Sequence, residues 1–64
     1  MKRKEFLRYL ISHNCHVIAE GGGHTAVMNF GNKRKSYIPR HAELKRGTVR
    51  AICRQLVIPD PFSP

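Results

Sequence analysis

Hydrophobic residues near both ends of the chain repeat with the period of a helix. Near the start, one helical face carries the apolar residues Phe6, Leu7, Leu10 and Ile11. This spacing predicts a first helix over residues 2–13. A second helix, beginning at Thr48 or a few residues earlier, is predicted by the apolar spacing of Val49, Ile52, Cys53 and Leu56.

Between the helices the pattern changes to alternation, which is typical of strands. The predicted strands are residues 15–20, 25–30 and 35–38. In the first strand Cys15, Val17 and Ala19 alternate with polar residues, except that Ile18 falls on the polar side. Turns are predicted at Gly21–Gly23 and at Gly31-Asn32, and Pro39 ends the third strand.

The order of these elements predicts an α+β fold, α-β-β-β-α. Strands this close in sequence favour a three-stranded antiparallel sheet. Both helices need an apolar partner, so we expect them to pack on one face of that sheet and to leave the other face free. The 64 residues indicate a single domain, 1–64, that ends in an irregular proline-rich tail over residues 59–64. We expect the tail to be held to the core by Val57, Ile58 and Phe62.

Neither a membrane span nor a signal peptide is expected. No apolar run reaches about 18 residues, and Arg8 and Ser12 interrupt the apolar stretch that follows the basic start. Cys15 and Cys53 are too few and too far apart for a metal or redox motif, so we interpret both as small buried side chains. That usage suits a reducing cytoplasm.

Charge is the strongest signal of the whole chain. Lys and Arg number 12 against 4 Asp and Glu, a net charge of +8, which predicts attraction to nucleic acid or to an acidic protein. Near the second turn and third strand we favour phosphate contacts by Lys33, Arg34, Lys35 and Arg40, because they flank the glycine–histidine stretch. On the second helix, phosphate contact and a solvated face both remain open for Arg46, Arg50 and Arg54.

The glycine–histidine stretch, Gly21–Gly23 followed by His24, carries the candidate chemistry. A phosphate-binding loop would need Gly-Lys-Ser/Thr before a helix, which is not the pattern here. Gly22 and Gly23 would instead let a polyanion approach the backbone, and His24 is the first side chain beyond them. Three roles remain open for Tyr37: it stacks on a base, polarises a phosphate, or is a half-buried strand residue.

His24 is a candidate general acid or base. Imidazole transfers protons near neutral pH, and RNA supplies its own nucleophile in the ribose 2′-OH, so cationic side chains can replace a metal in such a cleavage. The spacing alone also fits a surface or turn histidine. The four histidines, at 13, 16, 24 and 41, lack the spacing of metal ligands, so we expect no metal and no cofactor.

Four further segments are informative in their order and spacing: Lys4-Glu5-Phe6, Glu20 to Thr25, Ile38-Pro39-Arg40-His41 and Gly47 to Leu56. Together they resemble the HicA toxins, small ribonucleases of type II toxin–antitoxin systems. The resemblance covers nearly the whole chain. The chain departs from many members in having Gly23 where they have serine and Thr25 after the histidine.

The resemblance implies a double-stranded-RNA-binding-like fold and a catalytic role for His24. It also implies metal-independent cleavage of mRNA in the cytoplasm and a HicB-like antitoxin that covers the active site. His41 matches a frequent histidine of the family, either as a second titrating group or as a structural or phosphate contact. We expect the free protein to be a monomer. The alternatives are a non-catalytic RNA-binding module of the same fold and a protein whose basic face docks to an acidic partner.

Overall fold

A computed structural model describes residues 1–62 and has the predicted order of elements. The helices are α1 (Arg3–Ser12) and α2 (Arg46–Leu56), and the strands are β1 (Cys15–Gly21), β2 (His24–Asn29) and β3 (Lys35–Pro39). The strands form one antiparallel sheet in the order β1-β2-β3. The predicted α-β-β-β-α fold is therefore confirmed, and most element ends differ from the prediction by one or two residues.

Both helices bury their apolar faces against the same side of the sheet. The core consists of Phe6, Leu10, Cys15, Val27, Ile38, Leu44, Val49, Ile52, Cys53 and Leu56. Of the predicted α1 face, Ile11 remains 59% exposed, so the buried stripe of this helix is narrower than the sequence indicates. All four predicted apolar positions of α2 are buried. A core this small leaves little surplus stability, as is usual for domains of about 60 residues.

Cys15 and Cys53 are buried and free, as predicted. Burial raises the pKa of the Cys53 thiol to about 11, with smaller contributions from Asp60 and Cys15. Burial also raises the pKa of Cys15. Both thiols are therefore protonated at neutral pH and act as small apolar side chains.

The first strand contains an irregularity that the alternation did not predict. The pairing register shifts between Val17 and Ala19, so Ile18 is an extra residue in β1. Because of this bulge, Val17 pairs with the buried Val27, whereas Ala19 pairs with Ala26 on the opposite face. The prediction that Val17 and Ala19 share a face is therefore wrong.

The loop before α2 is anchored to the start of the chain. Arg3 donates its backbone N–H to Ala42 O at 2.9 Å, and Leu44 donates its own to Met1 O at 2.8 Å. Lys2 and Glu43 thereby form an isolated antiparallel bridge. These bonds seat the buried side chain of Leu44 in the core.

The tail is held by side chains of both helices. Arg50 forms an ion pair with Asp60 at 2.7 Å. The guanidinium of Arg46 lies 4.8 Å from the ring centroid of Phe62. The Tyr9 hydroxyl donates a hydrogen bond to Pro59 O. Ile58 and Phe62 pack on the core as predicted, whereas Val57 is 61% exposed. Two of the three α2 arginines therefore contact the tail. Residues 63–64, the end of the predicted tail, lie outside the described residues.

No helix in residues 1–62 is both long and apolar enough to cross a bilayer.

Candidate active site

The face of the sheet that the helices leave uncovered is called the open face here. Along β2 the side chains alternate strictly: Thr25, Val27 and Asn29 are buried, whereas His24, Ala26 and Met28 point the other way. Residues that pair directly across strands share a face. The open face therefore consists of three rows: Gly21–His24–Pro39, Ala19–Ala26–Tyr37 and His16–Met28–Lys35.

His24 is the first residue of β2 and pairs with Gly21 across a tight turn. The turn consists of Gly22 and Gly23, and Gly22 has φ +57°, a left-handed conformation that favours glycine. A Cβ atom at any of the three glycines would meet no other group within 4 Å. Only Gly22 is thus constrained by its backbone, and the surface around His24 is open to a large ligand.

The imidazole of His24 is exposed and faces a shallow hollow in the open face. Within residues 1–62 no group hydrogen-bonds to its ring nitrogens. The hollow, about 320 Å³, is lined by Ala19, Glu20, Gly21, His24, Ala26 and Tyr37. The small side chains of Ala19 and Ala26 create the depression, and the Tyr37 ring, 61% exposed, borders it. The structure thereby excludes a half-buried Tyr37.

The residue after His24, Thr25, connects its strand to α1 and to β1 through hydrogen bonds. Thr25 is fully buried, and its hydroxyl accepts a hydrogen bond from the Arg3 guanidinium and donates one to Glu20 Oε1 at 2.6 Å. Arg3 also donates from Nε to Pro39 O at 3.2 Å. Thr25 therefore faces the helices, not a substrate, and it fixes the strand that presents His24.

Glu20 extends this network to Arg40. The two side chains form an ion pair of 2.8 Å. The hydrogen bond from Thr25, followed by the charges of Arg40 and Arg3, holds the pKa of the Glu20 carboxyl below its usual value. The carboxylate is therefore charged at neutral pH and retains Arg40 at the end of the sheet where His24 lies. Sequence patterns did not predict the contacts of Arg3 with Thr25 or of Glu20 with Arg40, because the partners lie 22 and 20 positions apart along the chain.

The remaining basic candidates lie at the opposite end of the sheet. Lys33, Arg34 and Lys35 border a depression of about 640 Å³ with Asn32 and Gln55. Lys35 pairs with Met28, four positions from His24, which corresponds to about 14 Å along the strand. Of the four cations that the sequence placed near the second turn and third strand, Arg40 alone therefore lies at the His24 end, and most of the sheet separates the other three from the histidine.

His41 does not line the hollow around His24. It is exposed and borders a separate depression beside the start of α2, with Pro39, Lys45 and Thr48 among its neighbours. In the part of the chain that the structure describes, no three His, Cys, Asp or Glu side chains are grouped so that they could hold a metal ion.

The fold and this site define a small basic α+β protein with an exposed histidine on an uncovered sheet face. Residues 3–58 match the family model described as HicA toxin of bacterial toxin-antitoxin, and the chain belongs to that family. It is a toxin of a toxin–antitoxin system, and its family membership implies an antitoxin partner. Neither the search of curated proteins nor that of solved structures gave a match.

Proposed function

We propose that this toxin is an endoribonuclease that cleaves mRNA in the cytoplasm without a metal ion and that His24 is its catalytic residue. The observation that carries the proposal is the place of His24: exposed, at the edge of a hollow, on a face without covering elements among residues 1–62. The positive net charge of +8 supports an anionic substrate.

The reaction needs only a proton carrier and cationic groups. The ribose 2′-oxygen loses its proton and forms a bond to the adjacent phosphorus, while the bond from phosphorus to the 5′ oxygen breaks and that oxygen gains a proton. The products are a 2′,3′-cyclic phosphate and a 5′-hydroxyl. His24 either accepts the first proton or donates the second. Arg40, ion-paired with Glu20 at this end of the sheet, supplies a positive charge for the transition state.

Substrate binding involves more of the open face than His24. In this proposal Gly22 and Gly23 allow the RNA backbone to approach, and Tyr37 stacks on a base next to the reacting phosphate. Lys33, Arg34 and Lys35 contact phosphates further along, and His41 contacts one beyond the edge of the sheet. A HicB-like antitoxin inhibits the free, monomeric toxin by covering this face.

The central experiment compares His24→Gln with the wild-type protein on an RNA oligonucleotide in EDTA. Loss of a general acid or base is expected to slow cleavage by about 10²–10⁴-fold. His13→Gln is the matched control, because His13 lies at the end of α1 and its ring nitrogen contacts Tyr9 O. Circular dichroism should show that both variants are folded.

A second oligonucleotide, with a 2′-O-methyl group at the scissile position, tests the nucleophile. It should resist cleavage while its unmodified twin is cut. Equal cutting of both, or loss of all cutting on chelation, would refute the mechanism. If the wild-type protein binds RNA but never cleaves it, the second candidate, a non-catalytic RNA-binding module, is the better description, since it too fits the basic surface.

The phosphate contacts are tested by salt dependence. Each contact contributes a slope of about −0.7 to the log–log plot of affinity against salt for a single strand. Replacement of Lys33, Arg34 and Lys35 by alanine should make this slope less negative by up to about 2. The control variant replaces Lys4 and Arg8, which are exposed on α1. An unchanged slope in the triple variant would exclude these three residues as phosphate contacts.

A further inference from the structure

The open face does not end with the strand β2. Phe30 follows Asn29 directly in the β2–β3 turn, and its ring contacts the imidazole of His16, which belongs to the open face. Its ring is 44% exposed and does not belong to the core. Phe30 therefore adds a large aromatic side chain to the open face, at the end opposite to His24.

The ring of Phe30 has two polar neighbours and a fixed backbone. The imidazole of His16 meets it in an edge-to-face arrangement, with ring centroids 5.0 Å apart and an interplanar angle of 71°. The ammonium group of Lys33 lies 5.8 Å from the ring centroid. The Phe30 N–H donates to Asn14 O at 3.0 Å. The ring is thus held in place while much of its surface is left to solvent, beside a cation.

The distance between Phe30 and His24 suits an extended strand of nucleic acid. Six positions separate the two residues, which is about 20 Å at roughly 3.4 Å per residue. Between them, Tyr37 lies opposite Ala26 and Lys35 lies opposite Met28. The open face therefore presents an aromatic ring, a cation and a second aromatic ring in order, which is the combination that single-strand-binding surfaces use for bases and phosphates.

We propose that Phe30, with His16 and Lys33, forms a second base-stacking subsite, so that single-stranded RNA lies along the open face from His24 to the β2–β3 turn. This inference rests on the proposed function, because it assigns the path of the same substrate. The net charge of +8 favours RNA over an apolar occupant of this surface. A substrate must then be about four nucleotides or longer to reach both rings, at the lower end of known single-strand site sizes.

The test measures binding to uncleaved RNA by the His24→Gln protein as the oligonucleotide is lengthened from about two to about eight nucleotides. Phe30→Leu, which removes the ring but keeps an apolar side chain, should weaken binding about tenfold, and only for oligonucleotides long enough to reach Phe30. Phe30→Trp, which keeps an aromatic ring, should bind these oligonucleotides as tightly as the parent protein or more tightly. Tyr37→Leu should weaken binding at every length, because Tyr37 borders the hollow of His24.

The control is Ile11→Ala, which truncates a side chain that is 59% exposed on α1, away from the open face. It should leave affinity unchanged at all lengths. Equal affinity of the Phe30→Leu and parent proteins for long oligonucleotides would overturn the subsite and leave cleavage at His24 intact. The subsite would also be overturned, with cleavage at His24 left intact, if Phe30→Leu weakened binding of the antitoxin but not binding of RNA. If the wild-type protein neither binds nor cleaves RNA, the proposed function fails and the subsite fails with it.

Discussion

The two sides of strand β2 differ in how their polar groups are used. On the helix side, Asn29 donates to Leu56 O at 2.9 Å and accepts from Gly31 N at 2.8 Å, and Thr25 is bonded to Arg3 and Glu20. Within residues 1–62 every buried side-chain nitrogen or oxygen has a partner. On the open face, His24 has none among the same residues.

This difference shows that adjacent residues of one short strand have separate roles, one in stability and the other in contacts with a ligand. A polar group that is buried must be bonded, or its loss of hydration is not compensated. A polar group that is exposed can remain free for a ligand. We therefore expect substitutions along β2 and β3 to affect stability and activity alternately, and the following predictions test that expectation in order of decreasing effect.

The largest contrast is expected between Ile38→Ala and Tyr37→Ala, neighbours on β3. Ile38 is fully buried, so its truncation should lower the free energy of unfolding by about 2–5 kcal/mol, enough to unfold much of a small domain. Tyr37 is 61% exposed, and its truncation should cost no more than about 0.5 kcal/mol. Chemical denaturation followed by circular dichroism measures both. Similar losses in the two variants would contradict the separation of the faces.

A smaller effect is expected at Thr25. Thr25→Val keeps the shape of the side chain but removes the hydroxyl that joins Arg3 to Glu20, and it should cost about 1–3 kcal/mol. Thr25→Ser retains the hydroxyl and should cost less than Thr25→Val. The measurement is again the free energy of unfolding. If the valine variant were as stable as the wild-type protein, the network would not hold β2.

The smallest effect is expected from Glu20 and depends on pH. Because the folded state lowers the pKa of this carboxyl, ionised Glu20 stabilises the fold above its ordinary pKa of about 4.5, and that contribution is lost as pH falls through the lowered value. Glu20→Gln should therefore lose less stability between pH of about 6 and about 3 than the wild-type protein does.

The control for this titration is Glu43→Gln, since Glu43 pairs with the N-terminal ammonium group at 3.1 Å and lies outside the Thr25 network. It should not reproduce the difference that Glu20→Gln makes. Denaturation midpoints at several pH values suffice for the comparison. Parallel pH curves for wild type and Glu20→Gln would show that Thr25 and Arg40 do not stabilise the charged carboxylate.

The sequence predicted those features that depend on local periodicity. The apolar spacing of Val49 to Leu56 predicted α2, and the β-branched and aromatic residues of positions 25–30 predicted β2; both elements were confirmed. Gly22 and Gly23 likewise marked the turn before His24. The resemblance also identified the family correctly, because its segments are distributed from Lys4 to Leu56, within the matched residues 3–58.

Contacts between distant residues could not be predicted in this way. The salt bridge of Arg50 with Asp60 and the hydrogen bonds of Arg3 with Thr25 and Pro39 join segments whose approach depends on the finished fold. Charge alone could not distinguish the roles of the three α2 arginines, whereas in the structure Arg46 and Arg50 contact the tail. The position of the hairpin cations relative to His24 also required the strand register.

The extra residue Ile18 has a consequence for the behaviour of this protein at high concentration. β1 is an edge strand, and Val17 and Ile18 are large apolar side chains on it that are 43% and 41% exposed. A flat strand of this kind would be a template for pairing with a second molecule and so for aggregation. The bulge interrupts the regular spacing of unpaired N–H and C=O groups along that edge. The irregularity that turns Ala19 towards the hollow of His24 therefore also makes this edge a poorer template for pairing with a second molecule.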